Sequence, residues 1–146
     1  MSDRAWAPQC TEDELLVAMV NVKRAFHARS IGVDPGAFPV LHHLAAHGPS
    51  RQTALAEALG LDASTVSRHV RVVAGDGFVD VVRDPDDGRA TLLTLTRGGR
   101  EHLEQRMRAN RDALRAATAT FEPAERAELV RLLHKLADAL GQKETS

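Results

Sequence analysis

Apolar residues recur every three or four positions over most of this chain, the spacing of one buried helical face, whereas a central stretch is rich in β-branched residues and turn formers. Thr11-Glu12-Asp13-Glu14 opens the first pattern. A Thr followed three residues later by Glu can cap two unpaired backbone donors reciprocally, and acids favour the positive end of the helix dipole. Leu15, Met19, Val22 and Phe26 then form a stripe that needs a partner surface, because a lone amphipathic helix gains little in water. Asp34-Pro35 or Gly36 opens a second helix carrying Phe38, Leu41, Leu44 and Ala45. It ends at Gly48-Pro49, while Pro39 blurs its start. Ser50 is the expected N-cap of a short third helix that buries Ala54, Leu55, Ala58 and Leu59 and stops at Gly60, the residue type that most readily takes a left-handed cap.

Asp62 caps a fourth helix almost at once. Ala63, Val66, Val70 and Val73 share one of its faces; Ser64, Ser67, Arg68 and Arg71 share the opposite one, with Thr65 at its edge. Two short helices joined by a tight Gly-containing turn, the second with a small-polar and Arg outer face, describe a helix-turn-helix. Gly75-Asp76-Gly77 breaks the pattern, and Phe78, Val79, Val81 and Val82 form a strand. The turn cluster Asp84-Pro85-Asp86-Asp87-Gly88 precedes a second strand at Thr91 to Leu95, which makes a hairpin wing with Arg89 where the turn meets the returning strand. Thr96 caps a long helix with Leu103, Met107, Leu114 and Phe121 in one seam. A last helix near Pro123 carries Leu129, Leu132, Leu133, Leu136 and Leu140. The expected fold is mainly α with a small β-hairpin wing: a winged helix-turn-helix at 34–96, a helical region at 11–31 and 97–141, and flexible tails at 1–10 and 142–146.

Composition narrows the function. At 146 residues, 43% hydrophobic and 27% charged, the chain can bury a real core and is not a disordered tail. Nineteen Lys and Arg against twenty Asp and Glu leave a net charge of −1, so any nucleic-acid role rests on local placement and not on overall attraction. Between Asp62 and Arg100 six arginines face six aspartates, and binding therefore depends on a few aimed guanidinium groups. Aromatic residues make up 3% with no Tyr, which disfavours a stacking platform for single-stranded bases. No basic segment with an apolar core follows Met1, and the apolar run Leu15 to Val20 is far shorter than a membrane span; the expectation is a soluble cytoplasmic protein with no membrane partner. No nucleophile, base and orienter triad or phosphate-binding glycine loop is evident, so neither an enzyme nor a cofactor is expected.

The segments Leu55-Ala56-Glu57-Ala58-Leu59-Gly60, Ser64-Thr65-Val66-Ser67-Arg68, Asp84-Pro85-Asp86-Asp87-Gly88-Arg89 and Leu95-Thr96 together resemble the multiple-antibiotic-resistance regulator (MarR) family of winged-helix transcription factors. The similarity spans roughly residues 11 to 141. It implies a homodimer in which the first and last two helices of each chain intertwine, and a ligand-responsive repressor that binds a palindromic operator. It also implies an effector pocket for small phenolic or aromatic acids, to which Phe26, His27, Phe38, His42 and Met107 would contribute. Asp87 would brace the wing or position Arg89. Two positions depart from the family: Val81 stands where a basic residue is frequent, and Gly88 where arginine is common, which removes two phosphate or groove contacts.

On the residues themselves, Ser64, Thr65, Ser67, Arg68 and Arg71 face a DNA major groove, Arg68 being the first choice for base readout because Arg can bind guanine O6 and N7 with two donors. Arg89 is the candidate for the minor groove. Solvated helix faces are the plain alternative, and a winged-helix interaction module without specific DNA is the rival from another class. His43 and His47, four apart on one helical face, allow a zinc-responsive repressor, but no cysteine cluster accompanies them and ordinary histidines are preferred. Cys10 precedes the first helix and is read as a tail residue in preference to a redox sensor.

Overall fold

The computed structural model describes residues 7–28 and 36–141. The expected helix start at Asp34-Pro35, the end of the 11–31 segment, Trp6 and the last five residues lie outside them. The elements in chain order are α1 (Thr11–Ala28), α2 (Ala37–His47), β1 (Ser50–Arg51), α3 (Gln52–Leu59), α4 (Ala63–Gly75), β2 (Val79–Arg83), β3 (Thr91–Leu95), α5 (Arg97–Ala117) and α6 (Pro123–Gly141). The chain divides into two compact units, 1–103 and 104–146, so that the first turns of α5 belong with the winged unit.

The start of α1 is capped one residue earlier than the Thr11 pattern suggests. Glu14 N–H donates to the Cys10 carbonyl at 3.2 Å, and the Asp13 carboxylate accepts from Gln9 N–H at 3.0 Å. Asp13 thus does the reach-back expected of Glu14, and Thr11 is already helical. The helix buries none of its residues within its own unit: Leu15, Leu16, Met19, Val20 and Val22 are all exposed.

In α2, Pro39 is the third helical residue, where a missing N–H removes no intrahelical bond. Its buried side, Ala37, Val40, Leu41 and Leu44, meets Leu55 of α3, Val66, Val70 and Val73 of α4, Val79 of β2, Leu93 of β3 and Leu103 of α5 in one apolar core. Ser50 is not a helix cap. It joins Arg51 in a two-residue strand that pairs antiparallel with β3, Ser50 opposite Leu93 and Arg51 opposite Leu92, and its hydroxyl donates to the Gly48 carbonyl at 3.1 Å. The sheet order β1-β3-β2 therefore places the returning wing strand in the middle. Extended Arg51 stands at the cap position of α3 with no side-chain cap. That helix is only eight residues long and buries a narrow line, Leu55 with partly buried Ala56 and Leu59; Ala54 and Ala58, expected inside, are exposed. Ala63 is likewise exposed at the first turn of α4.

The junction of α4, the wing and α5 is close-fitted. The Thr96 hydroxyl donates to the Gly77 carbonyl at 2.8 Å and accepts from Gly99 N–H at 2.9 Å, capping α5 while tying it to the turn before β2. A Cβ on Gly99 would lie 2.1 Å from the Phe78 carbonyl oxygen, a backbone atom that cannot swing away. His102, one turn into α5, stacks on Phe78 with ring centroids 4.3 Å apart.

In the second unit, Pro123 begins α6 at the position where its ring fits best, and Glu122 N–H donates to the Glu125 carboxylate at 2.9 Å. Neither helix finds cover there for its apolar seam: Met107, Leu114, Phe121, Leu129, Leu132, Leu133 and Leu140 are exposed. So much apolar surface on one unit marks an association face. Substitution Gly99→Ala is expected to cost about 2–3 kcal/mol of stability through overpacking against the Phe78 carbonyl, measured by urea unfolding, with Gly98→Ala as the unaffected neighbour.

A candidate nucleic-acid interface on the fourth helix and the wing

The sequence pattern of α4 separates its two sides cleanly. Val66, Val70 and Val73 are buried, and opposite them Ser64, Arg68 and Arg71 are exposed, with Thr65 and Ser67 partly so. The guanidinium groups of Arg68, Arg71 and Arg89 make no ion pair with any described residue. At the start of the helix Asp62 is a strong cap. One carboxylate oxygen accepts from Thr65 N–H at 2.9 Å and Ser64 Oγ at 2.5 Å, and the other from Thr65 Oγ1 at 2.7 Å. Those bonds, the Ser64 hydroxyl first and the Thr65 hydroxyl next, hold the Asp62 carboxyl far below the usual carboxylate range. His69, next to exposed Arg68, is buried, its ring so close to Gly36 that a Cβ there would lie 2.0 Å from it.

The wing is held by an ion pair that sequence reasoning missed. Asp84, buried at the end of β2, accepts from Arg51 Nε at 2.7 Å, and Arg51 Nη2 lies 2.5 Å from the same oxygen. The second Asp84 oxygen accepts from Asp86 N–H at 2.9 Å, closing the turn. Asp87 continues the chain of bonds: its carboxylate accepts from Arg89 N–H at 3.1 Å and stands 3.8 Å from Arg51 Nη2, while its carbonyl accepts from Ala90 N–H at 2.9 Å. Arg51, thirty-three positions away in sequence, thereby fixes the loop that presents Arg89. The bond from Asp86 N–H, then the Arg51 guanidinium, lowers the Asp84 pKa. Of the wing residues noted as departures, Val81 is exposed on β2 and a Cβ on Gly88 would meet open space.

The candidate effector residues are placed separately. Phe38 and His42 stack within α2 at 5.9 Å. Phe26 is partly buried on α1, where the neighbouring exposed His27 donates from Nδ1 to the Lys23 carbonyl at 3.1 Å, and Met107 belongs to the second unit. His43 and His47 stack face to face at 4.5 Å. His47 Nδ1 is turned back to the His43 carbonyl at 3.1 Å and His43 Nε2 lies 3.4 Å from Ser50 Oγ. Burial, followed by the charges of His47 and His42, lowers the His43 pKa. Among the described residues no group of three His, Cys, Asp or Glu is placed to hold a metal ion, and no helix is long and apolar enough to cross a membrane.

The sequence pattern of the MarR family matches residues 31–90. A probable transcriptional regulator from Pseudomonas aeruginosa is 31% identical, with a TM-score of 0.71 over 84% of this chain and 95% of its own. The chain belongs to the MarR family. Two further MarR-like structures carry functional information about themselves. The Bordetella bronchiseptica regulator BpsR, whose DNA binding is regulated by 6-hydroxynicotinic acid, is 26% identical with a TM-score of 0.70, covering 85% of this chain and 96% of its own. A cysteine-to-serine variant of Escherichia coli MarR, complexed with operator DNA, is 25% identical with a TM-score of 0.71, covering 86% and 94%. The family is one of transcriptional regulators, and this MarR-family chain is such a regulator.

Removing the wing's ion pair is a direct test of its role. In Arg51→Met the amide signals of Asp86, Arg89 and Ala90 should broaden or move toward random-coil positions while those of α2 stay in place. The pH dependence has a definite sign. Because folding lowers the Asp84 pKa, its stabilising contribution is complete above the ordinary aspartate range near pH ~4 and is lost as pH falls through the depressed value. Wing amide shifts followed from pH 6 downward should show this loss in the wild type and not in Asp84→Asn.

Proposed function

We propose that the chain is a homodimeric, cytoplasmic repressor without catalytic activity that binds a roughly palindromic operator in double-stranded DNA and is released by a small aromatic or phenolic ligand. The observation that carries this reading is the pairing of two presented surfaces on one unit. One is the outer face of α4, with Ser64, Thr65, Ser67, Arg68 and Arg71; the other is a wing tip whose Arg89 is held out by the Arg51–Asp84–Asp87 brace. Arg68 reads base edges, Arg71 and Ser67 support it from the same face, and Arg89 enters the minor groove. Asp87 braces the wing and leaves DNA to its neighbour, since a carboxylate beside phosphate is repelled.

The apolar side chains exposed along α1, α5 and α6 support a dimer built from these helices. A two-fold dimer places its recognition helices about one turn of DNA apart, so half-sites lie some ~10 bp apart. The operator complex of the Escherichia coli relative and the ligand-regulated DNA binding of BpsR support the DNA and effector parts of the reading. For the effector, the Phe38 and His42 stack, with Phe26 and His27 of the same unit, is the proposed contact set. Ligand would act by favouring a spacing of the recognition helices that no longer matches the operator.

The test is a salt titration of purified protein on its own upstream DNA with excess random duplex as competitor. Saturable binding that survives the competitor and weakens steeply with salt is expected, because phosphate neutralisation releases counterions; binding erased by the competitor would overturn the reading. Arg68→Ala should lose about 1–3 kcal/mol of discrimination at one base pair of each half-site. Arg89→Ala should weaken binding across sequences and reduce the salt slope by about one per wing.

A further inference from the structure

The direction of two hydroxyl protons at the start of α4 decides what those hydroxyls can recognise. A serine or threonine in a groove can usually donate to a phosphate or an acceptor base edge, or accept from an amino group. Here both protons are already committed. Ser64 Oγ donates to one oxygen of Asp62 at 2.5 Å and Thr65 Oγ1 to the other at 2.7 Å. An ionised carboxylate only accepts and has no proton to return. What Ser64, exposed, and Thr65, partly buried, still offer outward is lone pairs.

Resting on the DNA-binding reading above, we infer that Asp62 sets the base preference of α4 by fixing Ser64 and Thr65 as acceptors, so that they recognise the exocyclic amino groups of adenine or cytosine. Guanine O6 and N7, thymine O4 and the phosphate oxygens all present lone pairs, and against these an acceptor hydroxyl gains nothing. The Asp62 charge beside the hydroxyls adds repulsion toward phosphate. Asp62 touches no base in this scheme. It is a positioning residue whose effect is read one bond further out, through Ser64 and Thr65, while Arg68, one turn on, supplies the donors that acceptor edges require.

The experiment uses the purified full-length protein in two stages. Selection from a random duplex library first identifies the base pair whose preference is flattened by Thr65→Val. The amino group of that pair is then deleted in synthetic duplexes, with purine riboside chemistry replacing adenine or pyrimidin-2-one replacing cytosine. Deletion should weaken wild-type binding by roughly tenfold, the worth of one good hydrogen bond, and should leave the hydroxyl-deleted variant indifferent. Asp62→Asn keeps the oxygen that caps Thr65 N–H and holds Ser64 but turns the atom facing Thr65 Oγ1 into a donor, which releases the Thr65 hydroxyl proton outward. This variant should lose most of the penalty for amino deletion while retaining the preference that depends on Arg68. Asp62→Ser, also a good cap, should behave alike, and unchanged far-UV circular dichroism and melting establish that both variants are folded. If amino deletion leaves wild-type affinity untouched, or Asp62→Asn keeps the full tenfold response, the inference fails while DNA binding stands. If the wild type enriches no sequence, the DNA-binding reading fails and carries the inference with it.

Discussion

A threonine hydroxyl and a missing Cβ hold together the place where the working parts of this chain meet. The Thr96 hydroxyl accepts from the Gly99 N–H in the first turn of α5 and donates to the Gly77 carbonyl, and Gly99 lets the helix backbone close onto Phe78. Three elements leave that junction: α4 ends just before it, β2 begins at it and α5 starts from it. Their relative directions are therefore set by backbone-to-backbone proximity and not by flexible side chains. Everything that α4 or the wing presents outward inherits its aim from this point, and the apolar core beneath, centred on Leu41, Leu55, Val66 and Leu93, keeps the sheet and helices from rotating about it.

Much of this arrangement was legible in the residues because local rules and the global fold agree. The valines of α4 at positions 66, 70 and 73 declare a buried face, Gly60 takes the left-handed cap with φ of 63°, and Asp84 to Gly88 forms the turn its composition demands. Where reading fell short, the deciding partner was distant in sequence. Nothing local distinguishes Ser50 as a strand residue. Only the vacant edge of β3, forty residues on, gives its backbone a better partner than a helix cap would. Arg51 is the same case: a surface arginine by composition, it becomes the anchor of the wing through Asp84. His69 is a different case: helical spacing sets it nearer the buried valines than the Ser64 and Arg71 face, and the close approach of Gly36 leaves room for the ring inside.

The candidate interface shows how a chain with no excess of basic residues can still address a polyanion. Three of the six central aspartates are occupied internally. Asp62 is engaged by its own helix, and Asp84 and Asp87 by Arg51 and the wing backbone. Arginines on the outer face are uncommitted. Half of the negative groups thus serve as fasteners, while the arginines of the α4 outer face and the wing tip stay exposed. Specificity then depends on the geometry of a few groups, and loosening any fastener changes both local structure and the field that a partner meets.

The exposed leucine and valine side chains of α1 and α6 carry a consequence for how such a regulator responds to its own abundance. If their cover is a second copy, the amount of operator-competent protein rises with the square of the protomer concentration when protomers are scarce, and folding stability rises along with it. Dilution at cell division would then lower occupancy more sharply than in proportion, making the regulated gene a gauge of how recently its regulator was made.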